Sequence, residues 1–268
     1  MSNAQRRKRP SWFVPNRNGD PVDRYYAEEL RAEGYGPMRQ RTHAEAERAW
    51  AIYRQEWETE DDLRAINDAL APYWTPYIFW GELHGAVIRE LVATVERLAP
   101  SRVLDVGCGV GLDVCFLAER YPAMVVWGSD LAPAMIERAQ ARAQRRQLTN
   151  ARFIVGAHRD LPSRLPIGDG DPGEGVDFAY SHGSLLYHGY DHLRAHMSGI
   201  AGVLRPGGIV LCEMPMEVDP HSFISAIVHE MGLGLSLWTD RGEIQTLSVD
   251  GREACWCCAF QLASADDV

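Results

Sequence analysis

Between residues 42 and 70 apolar positions recur at helical spacing. Trp50, Tyr53 and Trp57 lie three and four apart, and Leu63, Ile66 and Leu70 follow an acidic break at 58–62. Pro72 and Pro76 interrupt, and an amphipathic helix resumes over 83–98. After Pro100 the period changes. Short apolar runs at 103–106, 125–128, 151–155, 176–181 and 209–212 read as strands, and 112–120, 133–146, 191–204 and 223–231 read as helices between or after them. Two further strand-like runs lie near 235–249 and 253–262. Such alternation predicts an α/β fold, a doubly wound and mainly parallel sheet with helices on both faces. The turn signal Val249-Asp250-Gly251-Arg252 instead predicts an antiparallel hairpin at the sheet's end. Ahead of these elements, residues 1–40 are rich in Arg, Pro, Gly and Asn and read as an arm. It is ordered only in part, through a short helix at 23–33 that Gly34 and Gly36 stop. The chain thus divides into an arm (1–40), a helical region (41–98) and an α/β domain (99–268).

The chain has 268 residues, 46% hydrophobic and 24% charged, enough to bury a core without disulfide or metal staples. Its 27 basic and 37 acidic residues give a net charge of −10, and Lys8 is the sole lysine. Residues 1–50 carry a surplus of positive charge and the rest a surplus of negative charge, which argues against a duplex DNA partner gripped through its phosphates. The arginine bias reads as genomic composition, with the charges taken as solvated surface. No run approaches the roughly 20 apolar residues that span a bilayer, and the N-terminus lacks the apolar core of a secretory signal, so a cytoplasmic protein with no membrane partner is expected. In that setting the six cysteines read as reduced thiols. The Cys255-Trp256-Cys257-Cys258 run lies in an apolar strand whose alternation separates 257 from 258, so no metal is expected there.

The chemistry concentrates at Asp105-Val106-Gly107-Cys108-Gly109-Val110-Gly111, where the first strand hands over to a helix. Three alternate glycines let backbone turn sharply and approach a ligand closely. Asp105 adds a carboxylate beside that loop, which disfavours a diphosphate and suits a ligand carrying positive charge. The second strand ends at Asp130, placed to accept the two hydroxyls of a ribose. An alternative for Asp130 is a helix N-cap before Pro133.

The segments 103–111, 128–136, 153–162, 177–188 and 203–211, in that order and spacing, resemble the class I S-adenosylmethionine-dependent methyltransferases of small-molecule type. The resemblance implies a Rossmann-like seven-stranded sheet with an antiparallel last strand and S-adenosyl-L-methionine as cofactor. It places the cofactor against Asp105, Gly107, Cys108, Gly109, Gly111, Asp130, Leu131, Met135, Ala157, His158, Ser181 and His182. Members commonly hold adenine with an acid at the position of Ala157. Here the His158 backbone and its neighbours, or Asp160, would have to serve. Residues 73–80, Tyr-Trp-Thr-Pro-Tyr-Ile-Phe-Trp, fall where the family often builds a substrate lid, and read either as that lid or as packing for the N-terminal helices.

Methyl transfer from a sulfonium is an in-line displacement, helped by positioning and by a base where the acceptor carries a proton. His182, at the end of the fourth strand, is the first catalytic candidate, with Tyr187, His188 and Glu213 behind it. His188, His192 and His196 share one helical stripe, read as a polar face rather than a metal site. The expected activity is methylation of a small molecule, possible acceptors including natural-product intermediates, by a monomer or homodimer. Nucleic-acid or protein methylation and a non-catalytic cofactor-binding regulator are the alternatives. The Ser181-His182-Gly183-Ser184 text at the end of strand four departs from the base-modifying pattern.

Overall fold

The computed structural model describes residues 20–34, 48–49, 51–52, 55, 57–74, 82–166, 175–182, 184, 189–215, 238–249 and 252–262. The helix expected at 223–231 and the residues Tyr187 and His188 lie outside the described residues.

Five strands form the parallel centre: β1 (Arg102–Val106), β2 (Val125–Asp130), β3 (Ala151–Val155), β4 (Val176–Ser181) and β5 (Leu204–Pro215). Their order is β3-β2-β1-β4-β5. Every neighbouring pair among them runs parallel. This α/β architecture agrees with the alternation of the sequence. Two more strands, β6 (Trp238–Val249) and β7 (Arg252–Leu262), continue the sheet beyond β5 in the order β7-β6. β7 pairs antiparallel with both neighbours, and Val249 faces Arg252 across the β6–β7 turn.

Val103, Leu104 and Val106 on β1 are all buried, as a central parallel strand covered on both faces requires. Helices α4 (Leu112–Arg120) and α5 (Pro133–Arg145) follow β1 and β2, and α6 (Gly189–Ala201) precedes β5. Strand order reverses between β1 and β4, the crevice where open α/β sheets bind ligands.

Among the described residues the N-terminal region contributes the helices α1 (Pro21–Ala32), α2 (Glu60–Leu70) and α3 (Glu82–Leu98). Asp20 caps α1 by accepting from the Val22 amide at 2.8 Å, and Pro21 sits at the first helical position. A reciprocal capping box between Thr59 and Asp62 starts α2. α1 is not a loose arm. Val22, Tyr25 and Tyr26 are buried in the main core, and the Tyr25 ring meets Phe116 of α4 edge-on at 5.2 Å between centroids.

Ion pairs hold α1 from two sides. Arg89 of α3 bonds Asp20 and Asp23, both at 2.7 Å. Arg142 of α5, only 1% exposed, bonds Glu29 at 2.5 Å and also Glu33, while Arg145 and Arg146 bond Glu29 at 2.5 Å each. Burial works to raise the Glu29 carboxyl, but Arg142 and Arg146 outweigh it and hold the group below its usual value. These charges were expected at the surface. They are buried because α1 brings two glutamates to three arginines spaced along one side of α5.

Candidate functional site

The glycine loop is built by its own amides. Gly107 and Cys108 N–H both donate to the Ser129 carbonyl, at 2.8 and 2.9 Å, and Gly109 N–H donates to Asp130 Oδ2 at 2.9 Å. Gly107 and Gly109 hold φ of +86° and +52°, which side chains disfavour. Asp130 Oδ1 accepts from Ala132 N–H at 2.9 Å, so one carboxylate latches the loop and shapes the entry to α5. Burial raises Asp130 to about 6, against the backbone bonds that favour its charge. α5 has no side-chain cap of its own at Ala132. Asp68 of α2 takes that part, accepting from Ala134 N–H at 2.9 Å, and this contact brings α2 over the loop.

A pocket follows from this arrangement. Gly107, Gly109, Asp130, Leu131, Met135, His158 and His182 line one side, and Trp57, Leu63, Ile66, Asn67 and Trp74 from the N-terminal region face them. Ser184 also lines it, accepting a 2.7 Å bond from the Ser181 hydroxyl and donating to the Val106 carbonyl. Trp74 stands against Gly109 and Ser184 against Gly107, so closely that a Cβ on either glycine would lie within 2.7 Å of them.

Several expected site residues lie off the pocket wall. Gly111 (φ +69°) packs against α5 and β3, where a Cβ would come within 2.7 Å of Ala139 and 2.9 Å of Phe153. The Cys108 side chain is turned toward Gly128, and burial pushes its thiol well up, so it is no nucleophile. Ala157 is buried at the head of a single turn and leaves the wall to His158. His158 packs edge-on against His196, with ring centroids 4.9 Å apart. Among the described residues no group of His, Cys, Asp and Glu is placed to hold a metal. Glu213 takes a place in β5 opposite Cys257.

Asp105 lies beneath the loop, 2% exposed. Burial and then the Asp113 charge push its carboxyl well above the carboxylate range, with the Tyr180 hydroxyl opposing them. Asp113, on α4, was not anticipated. It accepts a hydrogen bond from the Tyr26 hydroxyl of α1, and its Oδ2 stands 3.7 Å from His182 Nδ1. A second, narrow crevice on that side of His182 is lined by Asp113, Tyr180, Ser181, Val87, Ile88, Leu91 and Leu211. The signal for Asp113 was present in the sequence, a lone acid in the otherwise apolar start of a helix, 112–118, every residue of which is buried. Asp130 thus lines the pocket, Asp113 lines the crevice beside His182, Asp68 holds the start of α5, and Asp105 is buried beneath the loop. Such a site favours a ligand with positive charge.

Comparison with known proteins agrees with the geometry. Residues 103–208 match the family model described as a methyltransferase domain. The trans-aconitate 2-methyltransferase of Deinococcus radiodurans is 30% identical over 173 residues, 63% of this chain and 60% of that protein. The enzyme of the same name from Paracidovorax citrulli is 34% identical over 127 residues, 47% of this chain and 43% of its own length. The chain therefore spans about 60% or less of these curated relatives. Among solved structures, magnesium protoporphyrin IX methyltransferase from Synechocystis PCC 6803 superposes with a TM-score of 0.57 at 16% identity, covering 78% of this chain and 99% of that one. The methyltransferase domain of bacterial CtHen1 gives 0.52 at 14% identity, over 68% and 100%. Both show the fold alone. The glycine loop, the β1–β4 crevice and the sequence matches agree that residues 103–208 are similar to a methyltransferase domain.

Proposed function

We propose that the protein transfers a methyl group from S-adenosylmethionine to a small-molecule acceptor. The observation that carries the reading is the pocket at the β1–β4 crevice, whose floor joins the backbone of Gly107 and Gly109 to the buried carboxylate of Asp130. Such residues fit the donor. Two carboxyl groups raised by burial, Asp105 and Asp130, gain from a cationic ligand, and Asp130 has lone pairs for ribose hydroxyls beyond its backbone bonds from Gly109, Ala132 and Leu131. The donor supplies a methyl activated by a positively charged sulfur.

The chain's residues then divide the remaining work. Leu131 and Met135 offer an apolar wall beside Asp130, and His158 stands where the Ala157 side chain cannot reach. His182, facing Asp113, is placed to hold or take a proton of the acceptor. Trp57, Trp74, Leu63 and Ile66 shield the site from water, so residues 41–98 act as a lid over a domain spanning 99–268. The seven-stranded sheet with its antiparallel β7 fits the same family reading. The relatives' acceptor, trans-aconitate, is one small molecule to try, and a natural-product intermediate another. Calorimetric titration with S-adenosylmethionine is the test: saturable binding is expected, and its absence at millimolar ligand would sink the proposal.

A further inference from the structure

Cationic side chains are missing from most of the stretches that build the pocket, and beside Leu63 the Arg64 guanidinium is paired with Glu60 and Asp61. No Lys or Arg occurs in 65–88, 103–119, 121–137, 165–193 or 206–240, the segments that contain or follow the carboxyl ends of β1, β2, β4 and β5 and the helices facing them. Among the described residues, none of those lining the pocket or the crevice beside His182 is a Lys or Arg. At the end of β3, the fifth place where a cation would count, Arg159 is engaged by Glu60 and Arg164 donates to the Val155 carbonyl. Meanwhile Asp130 lines the floor, Asp113 lines the crevice beside it, and two tryptophans form the wall above.

We infer that the acceptor is an amine carrying an apolar or aromatic body, rather than a carboxylate. This rests on the proposed function and narrows its substrate. An anionic acceptor would enter a crevice of its own sign with no Arg fork among the described residues to pair it, and each unpaired buried charge is costly. An ammonium meets the reverse. The Trp57 and Trp74 faces attract a cation, and the crevice beyond His182 sets Asp113 behind that ring, with Val87, Ile88 and Leu91 beside it. The body has the apolar wall of Leu63 and Ile66 to rest on. For transfer, the ammonium gives one proton to His182, and the freed nitrogen lone pair forms the N–C bond as the S–C bond breaks onto sulfur. The product ammonium then carries the positive charge that sulfur loses, and His182 returns its proton to solvent.

The experiment uses the full chain. S-adenosylhomocysteine is titrated first by calorimetry, and failure to saturate there counts against the proposed function itself. Phenethylamine, 3-phenylpropionate and trans-aconitate are then titrated into the saturated complex, with tryptophan fluorescence as the readout. The amine is expected to bind at least about tenfold tighter than either carboxylate, and Asp113→Asn to shrink that ratio toward one. Equal or tighter binding of a carboxylate, or no saturation by the amine at millimolar concentration, overturns the inference even where S-adenosylhomocysteine binds. Because the ratio is read on the unaltered protein, a poorly folding Asp113 variant does not rescue the inference.

Discussion

Asp130 is where one side chain ties folding, ligand and pH together. Its folded pKa of about 6 exceeds the ordinary 3.8, so between those values the folded chain holds a proton that the unfolded chain has released. Stability from this group therefore falls as pH rises through that window, by roughly 3 kcal/mol in all. A cation that binds only the ionised form pulls the other way. S-adenosylmethionine binding near pH 5.5 should release part of a proton, seen as a binding enthalpy that varies with the ionisation heat of the buffer, and the affinity should weaken below pH 6. Buffer-independent enthalpy together with flat affinity from pH 5 to 8 would place the ligand away from Asp130. Asp130→Asn should cost about tenfold or more in affinity. Gly111→Ala should instead cost stability, about 1–3 kcal/mol by thermal or denaturant melting, because the new Cβ meets Ala139 and Phe153 at positive φ while touching no ligand surface.

That contrast shows what a motif can and cannot say. Three glycines at alternate positions mark a tight loop. Which of them faces ligand and which faces a neighbouring helix depends on the rotation of the loop, fixed here by the Ser129 carbonyl and Asp130. Gly107, Gly109, Asp130, Leu131, Met135, His158 and His182 were legible from the sequence and do share one pocket. Asp113 stood out only as a lone acid in an apolar helix start, and its place in the site was not legible, because its partners come from α1, 87 residues away, and from the end of β4. Local patterning contains no such pairing.

At the scale of elements, α1 decides most. The short helix read at 23–33 within the arm is α1, and what the arm-like composition of residues 1–40 hid is that its inner face joins the core and its glutamates meet Arg142, Arg145 and Arg146. Arg142 also donates to the Val110 carbonyl, so the clamp on α1 reaches the glycine loop directly. Replacing Arg142 by Met strands Glu29 and Glu33 without a central partner, and a loss of about 3–5 kcal/mol in denaturant melts is expected, with weaker donor binding alongside. A stability unchanged within error would mean that the buried network is neutral. Since Glu29 is held below its usual value, the stability that it contributes is present above pH 4.5 and lost as pH falls through its folded pKa. Removing residues 1–38 should therefore act as a core deletion, exposing Phe116 and freeing Asp113 from Tyr26.

Across the whole molecule the charge is sorted by place. A net charge of −10 coexists with an arginine row on α5, and the arginines of that row are spent on α1, while the carboxyl ends of the strands keep their acids. A concave site of one sign raises the local concentration of opposite charge and speeds its capture, an effect that salt weakens. S-adenosylmethionine and S-adenosylhomocysteine differ by one methyl and one positive charge, so comparing them isolates this field. Stopped-flow tryptophan fluorescence should give an association rate for the sulfonium that falls steeply as salt is added, against a nearly flat rate for the thioether. Parallel salt dependences would mean that the acids around the pocket are paired by cations elsewhere in the chain, and would remove the electrostatic ground for expecting an amine acceptor. The equilibrium preference for the sulfonium should outlast the rate effect at high salt, because Asp130 is buried and mobile ions screen buried charges poorly.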